Sequence, residues 1–221
     1  MDEQEAIAFI RENTRLQAPP LTPEIVLHLA SESMPIWLKT EEELGEMNVP
    51  PPYWAFAWAG GQALARFVLD NPQLATGKTV IDVGAGSGIV AIAAARAGAR
   101  TVQAFDLDHL AVAAIRLNAD ANKVSLAVSS QDILAGPAPG CELLLVGDLF
   151  YERELASRVF SLIETAAARG ADVLVGDPRR SYFPVERFEQ VAAYEVPVTR
   201  ELEDAEIKRT AVWRLAGSHP A

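Results

Sequence analysis

A candidate ligand-binding segment lies at positions 80–88, which read Val-Ile-Asp-Val-Gly-Ala-Gly-Ser-Gly. An apolar run leads here into three alternating glycines, Gly84, Gly86 and Gly88, and an alanine-rich stretch follows. Glycine has no side chain to keep a ligand away from the backbone, and it adopts positive φ in tight turns. The pattern therefore predicts a strand, a ligand-binding turn and a helix.

Three acidic residues accompany this turn. Asp82 precedes the first glycine by two residues, Asp106 ends the next predicted strand, and Asp132 follows the third. Because the carboxyl ends of strands in a doubly wound sheet face the ligand crevice, we expect all three carboxylates to lie there. Carboxylates suit a ribose hydroxyl pair and a cationic group but repel phosphate. The set favours an adenosine ligand that carries positive charge.

Other interpretations of the same residues remain open. The dinucleotide fingerprint G-x-G-x-x-G/A would need a small third residue where this chain has Ile89, and a pyrophosphate needs room at that helix N-terminus. An oxidoreductase with a nicotinamide cofactor is therefore a weaker alternative. The acidic residues could also do no more than cap the helices that follow them.

The elements after Gly77 alternate between short apolar segments and helical ones. The predicted strands are Thr79–Val83, Thr101–Phe105, Ser125–Val128, Glu142–Val146 and Ala171–Val175. The predicted helices are Ile89–Arg96, His109–Ala121 and Arg153–Ala168. Uniformly apolar strands joined by crossover helices indicate a parallel sheet that is covered on both faces.

The end of the chain has a different pattern. Phe188–Pro197 and Ile207–Leu215 can pair antiparallel across a polar turn, which adds a hairpin to the sheet. We therefore predict an α/β fold with a doubly wound, mostly parallel, seven-stranded sheet, Rossmann-like in type, and an antiparallel C-terminal hairpin.

A helical extension is predicted ahead of this core. The apolar spacing indicates a helix from about Glu3 to Leu16, which Pro19 and Pro20 stop. A second helix is expected from Thr22, as the N-cap, through Leu29, with Pro23 at its first position.

Residues 37–52 have mixed charge and end in three prolines, so we interpret them as an irregular connection. A further helix is predicted from about Gly60 to Leu69. We expect one domain over 1–221, with the helical extension at 1–52 and the catalytic core at 53–221.

The composition excludes some classes of binding partner. The sequence has 19 Lys and Arg against 30 Asp and Glu, a net charge of −11, which argues against a nucleic acid partner. Cys141 is the single cysteine, and the three histidines are not in metal-ligand spacing, so we expect no metal. Without a signal sequence or a run of ~20 apolar residues, we expect a cytoplasmic protein with no membrane partner.

Two motifs carry a resemblance to a known family. The motif at 80–88 and Phe-Asp-Leu-Asp at 105–108 resemble class I, seven-β-strand, S-adenosylmethionine-dependent methyltransferases, over roughly Thr79 to Leu215. The resemblance implies S-adenosylmethionine as the cofactor, with the glycine turn under its methionine part, Asp106 at the ribose and Asp132 at the adenine edge.

The cofactor-binding set that the resemblance implies is Trp58, Gly61, Asp82, Gly84, Gly86, Gly88, Asp106, Leu107, Asp132 and Ile133. In this set Trp58 and Gly61 are expected to close over the methionine end. The alternative is that Trp54 and Trp58, four residues apart, only pack a helix against the sheet.

The acceptor side is predicted at 147–151, Gly-Asp-Leu-Phe-Tyr, where the fourth strand ends. Asp148 can accept a hydrogen bond from an amine. Phe150 or Tyr151 can line the path by which the amine enters, because the face of an aromatic ring attracts a cation. Both rings could instead be ordinary core aromatics.

The Asp-x-x-Tyr form at 148–151 resembles class I enzymes that methylate lysines in proteins. Together with 51–62 and 176–182, it is most similar to the electron transfer flavoprotein β-subunit lysine methyltransferase family, although Ala59 and Arg179 stand where proline and glycine are expected.

The resemblance implies a monomeric protein-lysine N-methyltransferase with Asp148, Phe150 and Tyr151 as catalytic residues and the flavoprotein β-subunit as the protein substrate. The alternatives are another protein substrate such as a ribosomal protein, a small-molecule amine, or a binding module without catalysis.

Overall fold

The computed structural model describes residues 1–30, 51–136, 139–198 and 206–217. The α-helices in these ranges are α1 Glu3–Asn13, α2 Ala59–Asp70, α3 Ile89–Arg96, α4 His109–Ala121 and α5 Arg153–Ala168. The strands are β1 Arg15–Gln17, β2 Leu27–Leu29, β3 Thr79–Val83, β4 Thr101–Phe105, β5 Ala127–Ser129, β6 Leu143–Gly147, β7 Asp172–Asp177, β8 Phe188–Pro197 and β9 Ile207–Leu215.

The main sheet has seven strands in the order β5-β4-β3-β6-β7-β9-β8. Strands β3 to β7 run parallel, while β9 is antiparallel to both of its neighbours. The predicted α/β fold with a C-terminal hairpin is confirmed. Helices α3, α4 and α5 begin and end at the predicted residues. Across the described ranges, none of the helices combines the length and the apolar character that a membrane span requires.

Side chains along the central strands point alternately to the two faces of the sheet, and this produces two core layers, one on each face. In β3, Val80 packs with α2 and α3 on one face, whereas Ile81 packs with α5 on the other. Such a period of two follows from the pleat, since successive side chains point to opposite faces. Leu64 of α2 and Ile163 of α5, both fully buried, cover the two faces.

The predicted second helix at Thr22–Leu29 is wrong. The capping residues form only a turn, in which the Ile25 N–H donates to the Thr22 carbonyl at 3.0 Å, and β2 then pairs antiparallel with β1. Side chains of α4 satisfy this extended backbone: the His28 N–H donates to Asn118 Oδ1 at 2.7 Å, and the Val26 N–H donates to Asn122 Oδ1 at 3.0 Å.

The same pairing shortens the first helix, which ends at Asn13 because the next residues enter β1. Thus the extension consists of α1 and the β1–β2 hairpin within residues 1–30. The predicted irregular connection lies outside the described residues except for its end at 51–52.

The start of α2 lies directly on the ends of two central strands. Gly60 packs against Gly176 of β7, and Gly61 packs against Gly147 of β6. A Cβ atom on Gly147 would lie 3.3 Å from the Gly61 Cα, and one on Gly176 would overlap the Gly60 carbonyl. The four glycines therefore fix how closely this helix approaches the sheet.

We predict that Gly176→Ala destabilises the protein by more than about 2 kcal/mol, because the added methyl has no room between backbones. The matched control is Gly136→Ala, since a Cβ there meets no atom within 4 Å. Urea denaturation of both variants measures the difference. Equal stability of the two variants would contradict the close packing.

Candidate active site

A cavity of about 460 Å³ opens at the carboxyl ends of β3, β4 and β6. Its volume is in the range of sites for small molecules. The chain leaves β3 for β4 and β5 on one side and returns to β6 on the other, so the cavity lies at the topological switch point of the sheet. Its lining includes Tyr53, Trp54, Trp58, Gly84, Gly86, Asp106, Leu107, Asp132, Ile133, Asp148, Tyr151 and Arg180.

The glycine turn adopts the conformation for which glycine is needed. Gly84, Gly86 and Gly88 have φ values of 60°, 53° and 79°, in the left-handed region. At Gly86, which lines the cavity, the nearest atom to a built Cβ is the Trp54 Cα at 4.0 Å, so the backbone is open to a ligand. Gly88 instead packs against Ile115 and starts α3.

Asp106 ties the end of β4 to this turn. Its Oδ2 accepts from the Gly86 N–H at 2.8 Å, and its Oδ1 accepts from the Asp108 N–H at 3.0 Å. Burial raises the pKa of Asp106, while these two donors act in the opposite direction. Since the carboxyl also lines the cavity, it is available to a hydroxyl-bearing ligand beside the turn.

Asp132 lies at the cavity edge and is held by an ion pair. Arg158 Nη2 lies 2.6 Å from its Oδ2, and this hydrogen bond lowers the pKa of Asp132. The neighbouring Ile133 is buried and lines the cavity, while Leu107 is a largely exposed apolar wall. This end of the cavity therefore combines apolar surface with one ionised carboxylate, as a planar base with polar edges requires.

Asp82 lies beneath the turn instead of facing the cavity. Its Oδ2 accepts from the Ala91 N–H in α3 at 2.9 Å, and only 2% of the residue is exposed. Burial raises the pKa of Asp82 to about 8. Of the three predicted carboxylates, the structure brings Asp106 and Asp132 to the cavity and gives Asp82 a supporting position. Gly61 also supports the site from outside, within α2.

Asp148 follows β6 and connects three parts of the structure. Its Oδ2 accepts from the Gly60 N–H and, at 3.2 Å, from the Gly61 N–H. Its Oδ1 accepts from Arg180 Nε at 2.8 Å, and Arg180 Nη2 lies 2.7 Å away. The φ of Asp148 is 57°, a left-handed conformation that costs free energy in a residue with a Cβ. The surrounding contacts hold it at the cavity wall.

Aromatic rings line the opening beside Asp148. The Tyr53 ring lies 5.9 Å from that of Tyr151 and 6.0 Å from that of Trp58, whose Nε1 donates to the Tyr53 carbonyl. By contrast, the structure places Phe150 in the core, fully buried and 5.2 Å from the ring of Phe183. Tyr151 is therefore the aromatic residue of the predicted motif that faces the opening.

The two tryptophans combine both of the roles considered for them. Trp54 is 1% exposed and packs among core residues, whereas Trp58 is half-buried and caps α2. Both also line the cavity. The contacts that pack the segment carrying Trp54 and Trp58 therefore also form part of the cavity wall.

Other residues of the site have weak sequence signals. Asn118 in α4 donates from Nδ2 to the Ser87 carbonyl of the glycine turn at 2.8 Å, although a helix-interior asparagine predicts nothing. Arg180 and Asp177 lie in the 176–182 segment, where the sequence predicts a substrate entrance shaped by Arg179, Arg180 and Tyr182 but not the Arg180–Asp148 ion pair. Burial, followed by the charge of Asp148, raises the pKa of Asp177 to about 7.

Within the described ranges, no three His, Cys, Asp or Glu residues are grouped so that they could hold a metal ion. The cavity instead offers a glycine backbone, the carboxyls of Asp106, Asp108, Asp132 and Asp148, and aromatic surface.

A glycine turn after the first strand of this seven-stranded sheet, with a carboxyl at the end of the next strand, defines a class I methyltransferase. The family model of ribosomal protein L11 methyltransferase (PrmA) matches residues 63–140. A solved structure, magnesium protoporphyrin IX methyltransferase from Synechocystis with bound SAM, has the same fold: 19% identity over 71% of this chain and 78% of that chain, with a TM-score of 0.52.

Two curated relatives identify the family more closely. The electron transfer flavoprotein β-subunit lysine methyltransferase of Danio rerio is 35% identical over 93% of this chain and 81% of its own length. That of Xenopus laevis is 38% identical over 93% of this chain and 85% of its own length. The chain belongs to this family. It is a methyltransferase, and its cofactor is S-adenosylmethionine.

We predict that Asp106→Ala weakens S-adenosylhomocysteine binding by at least about tenfold, because the variant loses both a ligand contact and the bond to Gly86. Isothermal titration calorimetry measures the affinity. The control is Asp120→Ala, an exposed acid on α4. Wild-type affinity in Asp106→Ala would remove Asp106 from the cofactor site.

Burial of Asp82 makes the stability of the folded protein depend on pH. The pKa of Asp82 is higher in the folded protein than in the unfolded chain, so the folded state binds the proton of Asp82 more tightly. This proton binding stabilises the fold, and the stabilisation is lost as pH rises toward about 8. Relative to wild type, Asp82→Asn should therefore gain about 1 kcal/mol of stability per pH unit between pH 5 and 8. Urea denaturation across that range measures it. Parallel curves for the two proteins would contradict the assignment.

Proposed function

We propose that this chain transfers methyl groups from S-adenosylmethionine to lysine ε-amines of the electron transfer flavoprotein β-subunit. The observation that carries the proposal is the position of Asp148, which lies on the cavity wall between the glycine turn and the aromatic opening. The relatives that match 93% of the chain are named for this substrate.

The cavity fits the cofactor at each of its parts. The open backbone at Gly86, beside Gly84, would hold the methionine part, Asp106 the ribose, and Asp132 with Ile133 the adenine. When bound, S-adenosylmethionine supplies a methyl group activated by a sulfonium charge. The remaining work is done by the chain itself, which has to orient an amine and exclude water around it.

The acceptor must arrive as a free amine. With a reference pKa of ~10.4, deprotonating lysine at pH 7 costs ~4.6 kcal/mol. The rings of Tyr53, Trp58 and Tyr151 would desolvate the amine and lower its pKa, whereas a carboxylate beside it favours the ammonium form. Asp148 is therefore suited to capturing and aiming the lysine, and water to accepting the proton.

A ribosomal protein is a second candidate substrate, because the family model of ribosomal protein L11 methyltransferase matches this chain. That match ends at residue 140, ahead of the acceptor segment at 147–151. It therefore bears on the cofactor half of the site, and the flavoprotein β-subunit is the better-supported acceptor.

We predict that Asp148→Asn lowers methyl transfer to the β-subunit by at least about 100-fold, because the acceptor is no longer aimed. The test incubates purified enzyme, labelled S-adenosylmethionine and β-subunit, and maps the labelled lysines by mass spectrometry. A matched control is Asp172→Asn, which also breaks a buried Asp–Arg pair, with Arg214 at 3.2 Å, but at the opposite end of β7.

S-adenosylhomocysteine affinity, measured alongside, separates acceptor effects from cofactor effects. Near-normal transfer by Asp148→Asn at saturating cofactor would remove Asp148 from the acceptor site. No label on the β-subunit with active wild-type enzyme would overturn the proposed substrate.

A further inference from the structure

The carboxylate assigned to capture lysine already has a full set of donors. A carboxylate offers about four acceptor positions on its two oxygens. In Asp148, Oδ2 accepts from the N–H groups of Gly60 and Gly61, and Oδ1 has Arg180 Nε at 2.8 Å and Nη2 at 2.7 Å. An incoming ammonium or amine can donate to Asp148 only if one of these groups moves.

The Gly60 and Gly61 donors are fixed, because they belong to the glycine contacts that seat α2 on the sheet. Arg180 differs from them, since its donors are at the end of a long side chain that lines the cavity and is 20% exposed. The guanidinium is therefore the partner that can leave.

Arg180 also has the surroundings that an acceptor lysine needs. Its guanidinium is a cation held by the Asp148 carboxylate, and its Cζ lies 5.8 Å from the centre of the Trp58 ring. A lysine cation would use the same carboxylate and the same aromatic face. Two cations cannot share one carboxylate oxygen without strong repulsion, so the guanidinium and the lysine exclude each other.

We propose that Arg180 occupies the acceptor-lysine subsite of the free enzyme, and that the substrate lysine displaces its guanidinium from Oδ1 of Asp148. The inference rests on the proposed function and adds to it a residue that sets the affinity for the acceptor.

The displacement requires movement of the side chain alone. The Arg180 backbone N–H donates to Asp177 Oδ1 at 2.7 Å, and this bond anchors the main chain at the end of β7. Arg179, just before it, has a φ of 68° and its guanidinium lies 5.4 Å from the Trp213 ring, on the other side of the segment. The backbone can thus stay in place while the Arg180 guanidinium moves toward solvent.

Arg180 raises the affinity that an acceptor must supply through its other contacts. Displacing charge-assisted hydrogen bonds costs free energy, so the acceptor must gain binding free energy from contacts elsewhere. A folded protein surface provides such contacts, whereas a free amine or a short peptide does not. Every amine meets the same displacement cost, so Arg180 raises the concentration at which a weakly bound small amine becomes a substrate without changing the ratio of affinities.

The test compares Arg180→Gln with Arg187→Gln in steady-state methylation of the β-subunit and of a short peptide carrying its target lysine. Arg187 is a matched control, because its guanidinium also pairs with a carboxylate, Glu164 at 2.9 Å, and lies 4.8 Å from an aromatic ring, that of Phe160, outside the cavity. For Arg180→Gln we expect KM to fall about tenfold for both acceptors, because the same displacement cost is removed for each. Arg187→Gln should keep wild-type values.

Separate values of KM and kcat distinguish displacement of Arg180 from a purely positioning role of Arg180. An acceptor KM at or above the wild-type value, with or without a lower kcat, would overturn the inference and indicate that Arg180 only positions Asp148. A thermal shift with S-adenosylhomocysteine confirms that each variant is folded and binds cofactor.

A binding experiment separates this inference from the proposed substrate. Arg180→Ala should open a cation subsite, so methylguanidinium should bind the S-adenosylhomocysteine complex of this variant and not that of the wild type or of Arg187→Ala. Calorimetry measures this without turnover. Equal binding to all three proteins contradicts the inference, whereas wild-type enzyme that leaves the β-subunit unmethylated contradicts only the proposed function.

Discussion

The structure depends on the close seating of α2 against the ends of β6 and β7. Four glycines allow two backbones to meet there, and the Asp148 carboxylate accepts hydrogen bonds from the first turn of the helix. A larger side chain at Gly60 or Gly176 would lift the helix from the sheet. Because Trp58 precedes this helix and Asp148 follows β6, the same contact sets the distance between the aromatic opening and the Asp148 carboxylate.

The chemistry of the cavity follows from that arrangement. One end provides an open glycine backbone, with Asp106 bonded to Gly86, and the other provides aromatic rings around Asp148. Placed between them, an amine would be desolvated by the rings and oriented by a carboxylate whose second oxygen is bound to the fold. In our proposal the site is rigid where it would hold the cofactor and adjustable at Arg180, where the acceptor would enter.

Much of this architecture was predictable from local patterns. Periodicity and terminal signals located α3, α4, α5 and the final hairpin, and glycine spacing located the turn. The β2 strand was not predictable from its local sequence, because the side chains that satisfy the backbone N–H groups of His28 and Val26 belong to Asn118 and Asn122, 90 and 96 residues away. For the same reason the pattern could not show that Asp82 lies beneath the turn, or that Phe150 enters the core while Tyr151 faces the opening.

A crystal structure of the protein with S-adenosylhomocysteine tests this arrangement of the site most directly. We expect the adenine beside Asp132 and Ile133, the ribose at Asp106, and the sulfur between the glycine turn and Asp148, with the contact of α2 on β6 and β7 unchanged. A nucleoside bound elsewhere, or a sulfur on the side of the cavity remote from Asp148, would contradict it.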